Sequence, residues 1–270
     1  MQISFWSNMH GQAATSATTA ALASFIAQKT AYKTLVAHNN FERSALEGYF
    51  LKRSGQAEQN VSGLTNQGID ALIRLMRNGR LKSDMVADYT YSFLKNHRLD
   101  ILLGTTKKER PTPEDEAIIM DILECSKNFY DLVLLDVHSG LCETNSKHIL
   151  ETSDIIVFCL NQNRFLLEDF MGFLHTYPFL KEKRSAYVMS RYEKHAAVTS
   201  GNLARRFGLE RSALFEIPNN ARFSDALNNG RVFDFVAYYQ NAREGEEKVF
   251  IDSLSRLCDY VIEGCAKRCQ

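Results

Sequence analysis

Short apolar runs recur along the chain and alternate with stretches whose apolar residues return every three or four positions. The runs fall at residues 3–6, 34–38, 100–103, 132–137, 155–160, 186–189 and 214–217. Continuous apolar strands separated by helical periods are the pattern of a parallel sheet buried on both faces. The expected architecture is therefore α/β, a mostly parallel, doubly wound sheet of about seven strands with helices on both faces.

Helix starts are well marked. Thr112-Pro113-Glu114-Asp115 combines an N-cap, a proline at the first helical position and an acidic first turn. Ile118, Ile119, Ile122 and Leu123 then make one buried stripe. Between residues 41 and 99 no good strand is visible. Helix-period residues there, Ile69, Leu72, Ile73 and Met76, then Val86, Tyr89, Phe93 and Leu94, predict a helical insertion of two or three helices. Over 246–266, Phe250, Leu254, Leu257, Val261 and Ile262 share one face and predict a helix docked on the core. A membrane-targeting helix would need a basic opposite face, and only Lys248, Arg256, Lys267 and Arg268 are at hand. No repeat or linker divides residues 1–270, which read as one domain.

Thirty-two Lys+Arg balance thirty-two Asp+Glu, which excludes attraction of the whole surface to nucleic acid or anionic membrane. The opening Met1–Trp6 stretch lacks the basic start and apolar core of a secretory leader, and the apolar runs are too short to span a bilayer. Six cysteines, at 125, 142, 159, 258, 265 and 269, show no paired zinc spacing and read as reduced thiols of a cytoplasmic protein.

The candidate chemistry begins where the first strand runs into Ser7-Asn8-Met9-His10-Gly11-Gln12-Ala13-Ala14-Thr15-Ser16, followed by the small-residue helix Ala17-Thr18-Thr19-Ala20-Ala21-Leu22-Ala23. A strand, a loop of small residues and a helix aim backbone N–H groups at a phosphate. Small side chains also let the helix lie close to the sheet, so tight packing alone explains the same composition. Four later segments follow in order. Residues 130–140 form a buried strand that delivers Asp136 at its end. Thr152-Ser153-Asp154 leads into 155–160 and Asn161-Gln162-Asn163. Tyr187-Val188-Met189-Ser190-Arg191-Tyr192 ends another strand, and Ile217-Pro218-Asn219-Asn220 precedes 223–230.

Together these segments, from Ile3 to about Phe235, resemble the ParA/MinD group of deviant-Walker P-loop ATPases. The resemblance implies a P-loop NTPase-like sheet, with ATP and Mg²⁺ as ligands and a nucleotide-sandwiched homodimer. It places nucleotide-binding positions at His10, Gly11, Gln12, Ala13, Ala14, Thr15, Ser16, Asp136, Ser190, Arg191, Pro218 and Asn219. Ser16 and Asp136 are the implied Mg²⁺ pair. The family's loop reads K-G-G-x-G-K-[ST], and here His10 and Thr15 stand where its two lysines belong. Gly11 keeps the first glycine, Gln12 and Ala14 replace the others, and Ser16 keeps the hydroxyl. His38 and Asn40 fall where acidic residues follow the family's second strand, and Ser190 replaces the asparagine that usually reads adenine.

A charge-assisted hydrogen bond is worth about 1.5–3 kcal/mol, so one lost lysine weakens phosphate binding roughly 10- to 100-fold. Turnover suffers more, because phosphoryl transfer is almost entirely positioning and charge stabilisation. Slow hydrolysis or none is the expectation. Arg191 is the one residue of these motifs able to bring charge from another strand.

Several residues keep two readings. Asp136 either assists Mg²⁺ through water or bonds Ser16 or Thr15; Ser16 is a Mg²⁺ ligand or the N-cap of the first helix. His10 is a titratable substitute for lysine or a solvated turn residue. Pro218-Asn219 borders the base or forms an ordinary turn. His138 and Ser139 invite a hydrolase reading, but spacing at a strand end builds no nucleophile–base relay, and no G-x-S-x-G is present. Basic groups at 107–110, 181–184 and 205–206 are interspersed with acids or lie on a predicted helix edge, which favours a solvated surface over DNA contact.

The resemblance thus implies an atypical positioning or scaffold component that binds partner proteins of a positioning, secretion or partition system, with weak or no ATP binding. By analogy it is similar to the TadZ/CpaE branch. The alternative is an active ParA-like ATPase in plasmid or chromosome partitioning.

Overall fold

The computed structural model describes residues 1–40, 44–51, 66–107, 112–141 and 144–266. Eight strands form one sheet: β1 (Gln2–Trp6), β2 (Thr34–His38), β3 (Tyr91–Leu94), β4 (Leu99–Ile101), β5 (Leu132–Asp136), β6 (Ile155–Leu160), β7 (Arg184–Tyr192) and β8 (Leu214–Pro218). Their order is β3-β4-β2-β5-β1-β6-β7-β8. Every pairing is parallel except β3 with β4.

The helices are α1 (Thr15–Lys29), α2 (Ile69–Arg77), α3 (Pro113–Lys127), α4 (Thr144–Thr152), α5 (Arg164–Thr176), α6 (Phe179–Glu182), α7 (Ser200–Phe207), α8 (Ala221–Asn228), α9 (Val232–Tyr239) and α10 (Gly245–Ala266). α1 packs with α9 and α10 over one face, while α3 packs against α2 and α4 over the other. Burial on both faces is why β1, β5 and β6 carry unbroken buried runs. α1 is buried on nearly every side from Ala17 to Ala27. Its alanines, threonines and Ser24 let it lie between the sheet and two other helices.

The capping expectation at Thr112 is met in full: its hydroxyl accepts from Asp115 N, and the Asp115 carboxylate accepts in return from the Thr112 backbone. Ile119, Ile122 and Leu123 are buried, with Ile118 packed at the margin. On α10, Phe250, Leu254, Leu257 and Val261 are buried as the stripe requires.

The expected mostly parallel α/β sheet is present, with eight strands; the reading of 41–99 as helical needs correction, because β3 lies within it. Its residues are exposed or half-buried because it is an antiparallel edge strand, so it carries no apolar run. Val86 and Tyr89 belong to a 3₁₀ segment, and α2 is the one α-helix among the described residues between 41 and 99. Residues 108–111, with most of one basic group, lie outside the described residues, as do Cys142 and Cys269. Cys125, Cys159 and Cys258 are free thiols. No helix among the described residues is long and apolar enough to cross a membrane.

The topology fixes where a ligand can sit. From β1 the chain leaves toward β2 on one side, and from β5 it crosses to β6 on the other. The crevice at the carboxyl ends of these strands is a topological switch point, the place where open α/β sheets bind ligands.

Candidate functional site

The β1–α1 loop is pinned from outside. The Asn161 amide donates to the carbonyl of Gln12 at 2.8 Å, and the Asn8 amide donates to the carbonyl of Leu166 at 3.0 Å and to Asp169 at 2.7 Å. Gly11, at φ +71°, makes the first left-handed turn. Ala14 makes the second, at φ +50°, and serves as the N-cap of α1 with no side-chain hydrogen bond. The first turn of α1 holds no acidic residue of its own, so its backbone N–H groups face the loop.

A left-handed conformation costs an alanine about 1–2 kcal/mol, whereas glycine pays about 0.5–1 kcal/mol in chain entropy. Ala14→Gly is therefore expected to stabilise the protein by roughly 0.5–1 kcal/mol. A denaturation midpoint that falls would show that the loop is not held in this conformation in solution.

This loop opens into a cavity of about 730 Å³. His10, Gly11, Ala14, Thr15 and Ser16 line it, with Asp136, Ser190, Arg191, Pro218 and Asn219. The structure thus brings ten of the twelve expected nucleotide positions together. Gln12 and Ala13 are the exceptions: Gln12 is exposed and its carbonyl is engaged by Asn161, while Ala13 is buried beneath the loop. Ala17, Ala21, Phe223 and Leu227 make an apolar part of the wall, backed by the buried Phe250 and Leu254.

Asp136 is 1% exposed at the end of β5. Ser16 Oγ donates to its Oδ2 at 2.5 Å, so of the two hydroxyls it is Ser16 rather than Thr15 that bonds the carboxylate. Ser16 is not the cap, since α1 starts at Thr15 behind Ala14; it is the partner of Asp136. Burial pushes the Asp136 carboxyl up to about 6, against the pull of the Ser16 hydrogen bond and of His38 and His10. Beneath the first turn of α1, burial also raises the Cys159 thiol, which keeps it protonated and unreactive.

The remaining groups divide into committed and free. Ser190 Oγ shares a hydrogen bond with Thr18 Oγ1 at 3.3 Å. His138 donates its backbone N–H to Asn39 Oδ1 at 2.6 Å, and its ring bonds Asn40 Oδ1 at 2.8 Å. That geometry ties the ends of β2 and β5 together and commits the His138 ring to Asn40. The His10 ring lies 5.7 Å from that of His138, at the mouth of the cavity. Asn220 caps α8 by accepting from Phe223 N at 2.8 Å.

Arg191 stands apart. Register shifts between Met189 and Tyr192, and Arg191 takes a φ of +51° at this bulge. Bulges re-aim side chains next to active sites. Among the described residues its guanidinium makes no ion pair or hydrogen bond, and it is the one Lys or Arg among them in the cavity lining.

Two contributors were missed by sequence reasoning. Tyr49 lines the cavity from a segment with no recognisable motif, and Glu47 holds that segment by accepting from Gly104 N at 2.5 Å and bonding His38 Nε2 at 3.2 Å. Nothing in the local pattern signals either contact, because both arise from tertiary closure.

The donor set suits a nucleotide with Mg²⁺. The cavity falls within the range of ordinary small-molecule sites. A hydroxyl and a buried carboxylate together offer hard oxygen atoms for Mg²⁺. Among the described residues no three His, Cys, Asp or Glu side chains gather around a point, so a cation would be completed by ligand oxygens and water.

No family model matches this chain, and no curated protein matches it in sequence. Its fold does match solved structures. A ParA family ATPase from Chlorobium tepidum superposes with a TM-score of 0.71 at 15% identity, over 94% of this chain and 98% of that one. The cell division ATPase MinD of Pyrococcus furiosus gives 0.69 at 14% identity, over 97% and 98%. The septum site-determining protein MinD of Pyrococcus horikoshii, solved with Mg-ADP, gives 0.68 at 14% identity, over 96% and 95%. The chain therefore has the ParA/MinD P-loop NTPase fold.

Proposed function

We propose that this chain is an atypical ParA/MinD-like protein acting as a positioning or scaffold component, one that holds ATP with Mg²⁺ weakly and turns it over little or not at all. The observation that carries this reading is the pairing of Ser16 with Asp136 below the open end of α1, in a loop with no lysine at position 10 or 15. The loop N–H groups and the helix end would take the phosphates. Ser16 and Asp136 would hold Mg²⁺, which supplies charge neutralisation when bound. Arg191 would add the missing positive charge from β7, and Pro218 with Asn219 would border the base.

Protein partners of a partition, secretion or similar positioning system fit this reading, as do a cytoplasmic location and a homodimer. DNA contact is not favoured. In the basic groups, Arg206 bonds Glu168, Arg184 donates to the carbonyl of Tyr260, and Lys183 donates to that of Glu151.

Titration calorimetry with Mg·ATP beside a phosphate-release assay tests the proposal. Measurable binding with negligible release is expected. Robust turnover abolished by Ser16→Ala or Asp136→Asn would overturn it. One observation favours a working ATPase instead, the Arg191 guanidinium in the cavity lining, unpaired among the described residues. That reading requires ATP-dependent dimerisation and salt-sensitive retention on nonspecific DNA.

A further inference from the structure

Residues 44–51 follow β2 and lie as a strap across the cavity, which Ser44, Ala45 and Tyr49 help to line. Three attachments seat it. Leu46 and Phe50 are buried, with the Phe50 ring edge-on to Phe93 at 5.7 Å. Glu47 is held by Gly104 N and His38. At Gly230, with φ +62°, a Cβ would come within 2.9 Å of the carbonyl oxygens of both Gly48 and Leu51, so only glycine admits the strap at this distance.

What the strap presents to the cavity is Tyr49. Its ring is half-buried, and its hydroxyl has no hydrogen-bond partner among the described residues. The hydroxyl lies within the fields of both Asp136 and Arg191. Burial first, and the Asp136 carboxylate second, raise the phenol above its ordinary value, with Arg191 pulling the other way. It therefore keeps its proton at neutral pH and offers a donor. A site whose lining, among the described residues, holds a single arginine and no lysine gains most from neutral donors directed at an anion.

We propose that Tyr49 is a ligand-binding residue, its phenol donating a hydrogen bond to a phosphoryl oxygen of a nucleoside di- or triphosphate seated between the Ser16–Asp136 pair and Arg191. This rests on the nucleotide reading above. It adds to that reading a contact from outside the phosphate loop, made by a strap whose seat is set by Gly230.

The test compares wild type, Tyr49→Phe and Gly230→Ala by calorimetric titration with Mg·ATP, Mg·ADP and adenosine. Tyr49→Phe is expected to lose about 10- to 100-fold in affinity for both phosphorylated ligands. Its affinity for adenosine and its thermal midpoint without ligand stay at wild-type values. Gly230→Ala, outside the lining, weakens Mg·ATP binding by displacing the strap. Wild-type affinity for Mg·ATP in Tyr49→Phe overturns the proposal and leaves the nucleotide reading standing. Absence of Mg·ATP binding in the wild type overturns both.

Discussion

Asp136→Asn raises the thermal midpoint of this protein at pH 7.5 and leaves it unchanged near pH 3. The reason lies in the cost of an ionised carboxylate buried at the end of β5. Its carboxyl is pushed from the ordinary 3.8 to about 6, so at neutral pH the folded chain carries a charge that the unfolded chain solvates better. Below pH 3.8 both states are protonated and the stabilising share is fully present. It is lost as pH rises toward 6, and above 6 the full cost applies. That cost is about 3 kcal/mol at roughly 1.4 kcal/mol per pH unit. In a chain of this size it corresponds to a gain of about 6–10 °C for the asparagine variant. Asparagine keeps an oxygen for the Ser16 hydroxyl, so the change removes charge rather than packing. Adding Mg²⁺ with nucleotide should stabilise the wild type more than the variant. Scanning calorimetry at the two pH values checks this; a lower midpoint for the variant at pH 7.5 would mean that the carboxylate is paid for within the apo fold.

The second large effect is a gain of affinity. Thr15→Lys places an ammonium group at the first residue of α1, where the lining of the cavity and the open helix end coincide. One charge-assisted contact is worth about 1.5–3 kcal/mol, so Mg·ATP binding should tighten about 10- to 100-fold. Thr15 is only partly buried; the Thr19 hydroxyl donates to its backbone carbonyl, a bond the substitution keeps, while its side-chain bond with Cys159 is given up. His10→Lys stands farther out on the exposed loop and should give the smaller gain. Equal affinity in wild type and Thr15→Lys would show that phosphates do not reach the helix end.

The central strands were legible because burial on both faces forces continuous apolar runs, as in Leu132–Leu135. β3 was not, since an edge strand with exposed Tyr91 and Ser92 carries the same composition as an amphipathic helix turn. The loop position and the Ser16–Asp136 neighbourhood could be placed from the order of motifs. Which hydroxyl bonds Asp136 could not, because Thr15 and Ser16 differ only in the angle at which α1 leaves the loop. Tyr49 and Glu47 were invisible for another reason. Their roles depend on a strap meeting Gly104 and Gly230, residues far along the chain, and no local spacing encodes such a meeting.

The apolar part of the cavity wall has one more implication. Phe250 and Leu254 of α10 are buried in the core and also stand behind the cavity wall. The same side chains thus serve the core and back the cavity, so loosening α10 would reshape the space into which the first loop opens.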